Sequence, residues 1–515
     1  MSKFLKGTMI LMAAAFITRM LGFVNRIVLA RMIGEEGVGL YMMAVPTLVL
    51  VITITQLGLP VAISKHVAEA EAKGDRGKTK KILAVSLGVT GILSFIFTPA
   101  LILLAPYLAE HVFTDNRTYW PLIAISPVIP IIAVSSVLRG YFQGRQNMKP
   151  SAISQVIEQV VRIGLIAVLT GYFLPYGIEF AAAGAMISAV IGELASLLYM
   201  LTMFKLKKTF SLRRSIFKTM SRGKSTFYEL MNIALPTTGS RMIGSLSWFF
   251  PIVVANSLAI AGVAAGVATS QYGLLTGYAL PLLFLPSFIT VSLSTSLVPA
   301  ISESYALGHL RAVEYKLQQS LRFSLVSGGL AVIILYVLAY PLMELMYGNT
   351  KAAPFISLLA PFFLFYYYQG PLQAVLQALN LARAAMINSL IGAVVKIGLI
   401  FILASQPSFG IYGAAIAMVV GIMVVTFMHF FTMVKKISIT FYVKEYIGAF
   451  TAIILSGVAG HFTYEWLWVE THQVIRVLVS IMVMTILYLF LLKQLDVLKK
   501  EDLARLPFWP QRYSP

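Results

Sequence analysis

The chain has 515 residues, of which 58% are hydrophobic and 12% charged, with a formal net charge of +20 and a mean hydropathy of +0.84. A soluble protein of this length carries about a quarter charged residues, so the composition excludes a soluble globular chain and points to an all-α, multi-pass membrane protein. There is no cysteine, hence no disulfide framework or thiolate metal site, and the histidines lack metal-ligand spacing; neither a metal nor a cofactor is expected.

At about 20 apolar residues per crossing, fourteen spans are predicted, near 8–33, 39–64, 82–105, 119–138, 152–174, 180–204, 229–256, 268–298, 321–346, 353–379, 384–405, 410–434, 442–463 and 472–494. The first is too long for a cleavable signal and contains arginines. Arg19 and Arg26 within it lie seven residues apart, so they share one helix face. A charge at membrane depth is costly, and such residues face a protein interior or a wet cavity. The pair predicts a cavity that receives an anion. Arg31, near the span end, fits snorkelling to the interface.

In the fifth span Gln155, Glu158, Gln159 and Arg162 form one stripe. Glu158 and Arg162, spaced i,i+4, either neutralise each other or leave Arg162 to the substrate. Glu193 in the sixth span is an intramembrane acid: a candidate for coupling to a cation or proton, or a partner for a cavity arginine. In the seventh span Arg241 shares a face with Thr237, Ser245 and Trp248 and has no carboxylate nearby in that helix, which makes it a second cavity candidate. Pro281 and Pro286 in the eighth span mark a candidate hinge, since each removes a backbone hydrogen bond. In the tenth span Gln369, Gln373, Gln377 and Asn380 recur on one face, suited to bonding sugar hydroxyls or to gluing helices together. The eleventh carries Asn388, Gly392 and Lys396 at four-residue spacing.

Lysine and arginine concentrate in loops after even-numbered spans, among them Lys65 to Lys81, Arg139 to Lys149 and Lys205 to Lys224. The positive-inside rule therefore places both termini and these loops in the cytoplasm. The basic excess follows from those loops, and no nucleic-acid partner is implied.

The two halves repeat. Leu59-Pro-Val-Ala-Ile-Ser64 echoes Val298-Pro-Ala-Ile-Ser302, and Val160-Val-Arg-Ile-Gly-Leu-Ile166 echoes Val394-Val-Lys-Ile-Gly-Leu-Ile400. Lys396 thus matches Arg162. The predicted organisation is an N-lobe over 1–204, a basic linker over 205–228, a C-lobe over 229–434, and two further helices with a tail over 435–515. Parallel repeats place a substrate site between lobes and work by rocking.

No phosphate-binding loop is present, and segments outside the spans reach only about twenty residues, the length of a single crossing. This favours a carrier over an enzyme, and no catalytic residue is assigned. Glu35, Glu36, Glu110 and Asp115, the acids expected at the outer face, form no obvious constellation in the sequence.

Fourteen spans in two six-helix lobes plus two helices resemble the multidrug/oligosaccharidyl-lipid/polysaccharide exporter superfamily. Thr18-Arg-Met-Leu-Gly-Phe-Val-Asn-Arg-Ile-Val-Leu-Ala-Arg-Met-Ile-Gly34 looks like the opening helix of its polysaccharide-transport and lipid II flippase branches. Phe4-Leu-Lys-Gly-Thr8, Ile33-Gly-Glu-Glu-Gly-Val-Gly-Leu-Tyr-Met-Met43, Leu138-Arg-Gly-Tyr-Phe-Gln-Gly-Arg-Gln-Asn147 and Gln369-Gly-Pro-Leu-Gln-Ala-Val-Leu-Gln-Ala-Leu-Asn380 look like the sporulation members of the polysaccharide branch. The resemblance implies a flippase for an undecaprenyl-pyrophosphate-linked saccharide, a peptidoglycan precursor for the spore cortex, with cell-wall synthesis enzymes as further partners. It implies cavity arginines on the pyrophosphate and the lipid tail along the last two helices. Arg19 and Arg31 match basic positions of the lipid II flippase pattern. Asn25 stands where that pattern has an arginine, Arg26 where it has an acid, and Gln56 and Gln271 are the prominent polar residues of spans that are basic in the pattern. A cation-coupled drug exporter and a non-transporting scaffold are the competing readings.

Overall fold

The computed structural model describes residues 3–113, 115–207, 224–244, 249–437, 443–466 and 472–498, with side chains from Phe16 onward save at scattered positions near 72, 236–244 and 292–306. Helix α1 (Lys3–Gln56) is two arms broken at Gly34, whose φ of 65° and ψ of −174° are non-helical. Glycine enters this region without a Cβ clash, so the break falls between the first two expected spans. The second arm ends at Leu57 and Gly58, both with positive φ, and α2 (Leu59–Ala72) restarts with Pro60 in its first turn, where the missing N–H costs nothing. Asp75 caps α3 (Arg76–Tyr107) by accepting from the Lys78 amide at 2.8 Å.

The fourth expected span is a bent pair, α4 (Tyr119–Ile125) and α5 (Val128–Gly144), with an angle of 40° between them. Next come α6 (Lys149–Phe173), α7 (Ile178–Lys207), α8 (Lys224–Gly244) and α9 (Phe249–Ile260). The eighth span is broken into α10 (Ala265–Gly273), a π-helical turn over Leu274–Ala279, α11 (Leu280–Phe284) and α12 (Ser287–Ala306). Its interruptions lie at Pro281 and Pro286, where the sequence placed a hinge. The chain continues with α13 (Leu310–Val337), α14 (Ala339–Tyr347), α15 (Ala353–Ala378), α16 (Ala382–Ala404), α17 (Gly410–Val434), α18 (Val443–Trp466) and α19 (Gln473–Gln494).

Helix is described within each of the fourteen expected stretches, and no strand occurs among the described residues. Nine of the described helices, or ten if the bent pair counts as one span, are long and apolar enough to cross a membrane. Only helices and closed barrels satisfy their backbone in lipid. Hydroxyls inside the helices bond back to carbonyls one turn earlier, as Thr90 does to Ser86 (2.9 Å) and Ser94 to Thr90 (2.6 Å).

The chain forms two compact units, Met1–Gly277 and Tyr278–Pro515. In the first, Leu59, Ile63, Val67, Tyr141 and Met200 share a buried core with Leu230 and Ala234 of α8. In the second, Leu297, Leu317, Val375 and Met433 form the core of α12, α13, α15 and α17.

One packing device appears in both units. A Cβ on Gly184 would meet the Leu169 carbonyl at 2.9 Å, and one on Gly192 the Glu158 carbonyl at 2.8 Å. At the same spacing in the second unit, a Cβ on Gly413 would meet the Leu403 backbone at 2.6 Å and one on Gly421 the Lys396 side chain at 2.9 Å. Small residues let membrane helices approach closely. The two glycine pairs clamp α7 on α6 and α17 on α16 at the positions that the sequence repeat aligns.

Candidate functional site

The close α6–α7 contact brings the buried charges of the first unit together. Arg139, counted in the sequence as a loop residue, lies inside α5, because that helix runs on to Gly144. Its Nη2 donates to Glu193 Oε1 at 3.0 Å and stands 3.9 Å from Glu158 Oε2. Arg162 Nη2 donates to Glu158 Oε1 at 2.9 Å. Two acids and two guanidiniums from three helices thus form one neutral quartet. Of the two readings left open for Glu158 and Arg162, the structure realises the ion pair. Glu193 likewise has an arginine partner, one the sequence did not offer it. The missed signal was the register of Arg139: it follows the fourth span directly, so one more helical turn returns it to the interior.

The quartet leaves hydrogen-bonding capacity over. The Nε atoms of Arg139 and Arg162 and Oε1 of Gln159 are buried and meet no partner among the described residues. Gln159 Oε1 lies beside Gly22 of α1, 3.7 Å from where a Cβ would stand. One turn on, Asn25 is buried with its Oδ1 in the same condition.

Of the arginines on α1, Arg19 and Arg31 are exposed and Arg26 is half-buried, its Nη1 3.5 Å from the Met42 sulfur on the second arm. The side chain of Arg241 lies outside the described residues. Gln271 on α10 is half-buried, with Oε1 buried and unmatched among the described residues.

In the second unit Gln369 donates to the Ile422 carbonyl at 2.9 Å and to Thr426 at 3.2 Å, so it joins α15 to α17. Gln373, Gln377 and Asn380 are exposed. Lys396 is half-buried on α16 against Gly421. Asn388 reaches His429 Nδ1 at 3.2 Å and Thr432 at 3.0 Å, a buried cluster that the sequence gave no reason to expect.

The two ends of the first unit are tied in different ways. Where α1 turns at Gly34, Glu36 accepts from Arg117 at 2.7 Å, and Arg117 also donates to both oxygens of buried Asp115 at 3.0 and 2.9 Å. Thr269 of α10 donates to Asp115 at 2.7 Å. A Cβ on Gly39 would meet the Thr269 carbonyl at 2.0 Å, and one on Gly273 the Glu35 carbonyl at 2.1 Å. Two acids that looked isolated in sequence therefore converge on one guanidinium. Burial pushes the Asp115 carboxyl up, but the hydrogen bonds from Arg117 and Thr269 outweigh this and hold it below the usual carboxylate range. At the other end Lys78 of α3 pairs with Glu229 of α8 at 3.0 Å, and His66 of α2 bridges Glu69 and the Glu229 carbonyl.

The family model described as "Polysaccharide biosynthesis protein" matches residues 4–305, well over half of the chain. The chain belongs to that family. A second model, described as "MatE", matches residues 253–402. This family member is 59% identical to stage V sporulation protein B of Bacillus subtilis (strain 168) over 98% of both chains. It is 31% identical to sporulation protein YkvU of the same organism, over 85% of this chain and 97% of that one. Its fold is similar to a solved structure of lipid II flippase MurJ in an inward closed conformation, with a TM-score of 0.71 over 96% of this chain and 99% of that one, at 17% identity. The fold is therefore that of the multidrug/oligosaccharidyl-lipid/polysaccharide exporters, as the sequence motifs implied.

Proposed function

We propose that this protein is a flippase that carries a polyprenyl-pyrophosphate-linked saccharide, a peptidoglycan precursor of the spore cortex, across the cytoplasmic membrane by alternating access. What supports the reading is a fold similar to lipid II flippase MurJ, with Arg19 and Arg26 seven residues apart in an apolar opening helix, in a chain closely similar to a sporulation protein. A pyrophosphate and sugar headgroup cannot enter hydrocarbon without replacement of its hydration. Guanidinium supplies that replacement, because its donors match phosphate oxygens in pairs. We assign Arg19, Arg26 and Arg241 to the pyrophosphate, with Lys396, Gln271, Gln373 and Gln377 toward the saccharide. Arg162 belongs to the quartet at rest and reaches the substrate only by leaving Glu158.

Both termini are placed in the cytoplasm by the loop charges. The membrane potential, negative inside, then favours outward movement of an anionic headgroup by ~2.3 kcal/mol per charge per 100 mV. Glu193 is the candidate for additional coupling, since a proton or cation arriving there would release Arg139. A drug exporter that holds cations needs open carboxylates, whereas Glu158 and Glu193 are both engaged by arginine.

The test is reconstitution in liposomes with fluorescent lipid II under an imposed potential. Flipping by the wild type, and its loss by tenfold or more in Arg19→Ala and Arg26→Ala, would support the reading. Folded protein that does not flip would exclude lipid II as the cargo.

A further inference from the structure

We propose that His66 is a proton-sensitive latch that holds α8 against α2 and so closes the end of the molecule that the basic loops place in the cytoplasm. His66 lies midway along α2, beyond the second arm of α1 from the Gly34 turn, and is largely buried. Its Nδ1 is 3.1 Å from Glu69 Oε2, and its Nε2 is 3.3 Å from the backbone carbonyl of Glu229. Both neighbours are acceptors and neither can donate. A neutral imidazole has one N–H and one lone pair, so it satisfies one contact and sets its lone pair against an oxygen at the other. Only the imidazolium, with two N–H donors, makes both hydrogen bonds. Both contacts are therefore satisfied together only in the protonated form, and a histidine side chain ordinarily changes charge within about pH 5–8.

The contact spans a sequence separation that matters. α2 closes the second span of the N-lobe, and α8 opens the first span of the C-lobe in the sequence repeat. A hydrogen bond between them fastens one lobe's entry helix to the other lobe. The charged groups facing the site from each neighbouring element are Glu69 on α2, Glu229 on α8 with its partner Lys78 on α3, and Arg145 on α5 with its partner Glu71. Tyr141 of α5 stands beside Arg145. The charged groups beside the site are carboxylates, lysines and arginines, which ordinarily titrate outside the histidine window, so a response inside that window that disappears in His66→Gln belongs to His66. Loss of the proton weakens the latch, freeing α8 as pH rises; protonation closes it.

The latch rests on the alternating-access reading above, and its test separates the two. The chain has no cysteine, so Lys73→Cys and Lys224→Cys, exposed positions at the end of α2 and the start of α8, can carry spin labels with no background. Distances would be measured by pulsed electron resonance in nanodiscs at about pH 5.5 and about pH 8.5, bracketing the histidine range. We expect one short distance at low pH. The ratio of short to long populations should fall by about tenfold on raising the pH, the effect of one charge-assisted hydrogen bond. His66→Gln should show the long population at both pH values. His66→Arg, which keeps a charged donor at every pH, should stay short at both. Distributions that ignore pH in the wild type, or a pH response that survives in His66→Gln or His66→Arg, would overturn the latch. A response as expected, with no lipid II flipping, would keep the latch and remove the cargo.

Discussion

Arg139 is the residue on which the buried charges of the first unit balance. With Arg139 removed, Glu193 loses its ion-pair partner among the described residues while it stays 3% exposed. Breaking one side of a buried pair costs roughly 3 kcal/mol, because the remaining charge stays desolvated. Arg139→Met should therefore lower the thermal unfolding midpoint of the purified protein markedly, and Arg139→Met with Glu193→Gln should recover most of the loss. Equal destabilisation by the single and double variants would show that the pair contributes packing alone. Asp115 gives a second test at this scale. Its carboxyl is held below the usual range, so the unfolded chain takes up the proton first as pH falls. The stabilisation is fully present above about pH 4, the unfolded value, and is lost as pH drops through the lower folded value. The gap in stability between wild type and Asp115→Asn should hold steady above pH 4 and narrow on further acidification, as followed by denaturation at a series of pH values.

Among helices, the spacing of backbones decides more than the side chains between them. Gly192 and Gly421 each place an α7 or α17 backbone directly on the preceding helix, beside Arg162 and Lys396 respectively. Ala at either position would meet a heavy atom under 3.0 Å away, so the helix must move. Gly192→Ala should shift α7, loosen the quartet and lower stability by about 1–3 kcal/mol, the usual cost of overpacking. Gly164→Ala and Gly398→Ala, helical sites with open space around the missing Cβ, should be neutral or stabilising by up to about 1 kcal/mol through helix propensity. Thermal melts of the three variants decide it, and destabilisation at the open sites would refute the packing account. In the same way Arg322 of α13 and Glu445 of α18, 3.1 Å apart, fasten one of the last two helices to the second unit. Arg322→Glu should make α18 more sensitive to proteolysis, and adding Glu445→Arg should restore its protection.

For the whole molecule, the sequence supplied the fold and left the state open. Alternation of loop charge predicts an orientation, which engineered cysteines can test on a cysteine-free background: Lys80→Cys should label only from the cytoplasm and Glu110→Cys only from outside. Labelling with the sides exchanged would invert the topology, and labelling of both from one side would remove the crossing between them. The sequence repeat puts α8, α9 and α10 with the C-lobe, yet the compact first unit takes them in. The reason is visible at both ends: α10 is pressed on α1 at Gly39 and Gly273, and α8 is tied to α2 and α3 through Glu229. Repeat register records how the chain is built, whereas compactness records which contacts are made in one state.

By itself the sequence determined the helical class, the broken eighth span and the family, because hydropathy, proline and motif act locally along the chain. It also named Glu158, Arg162 and Glu193, which the structure gathers around Arg139. It did not decide who pairs with whom. Arg139 with Glu193, Glu36 and Asp115 on Arg117, Asn388 with His429, and His66 across to α8 all join residues from different helices. Such pairings depend on helix rotation and on how closely glycines let backbones approach, and these are fixed only when the helices pack.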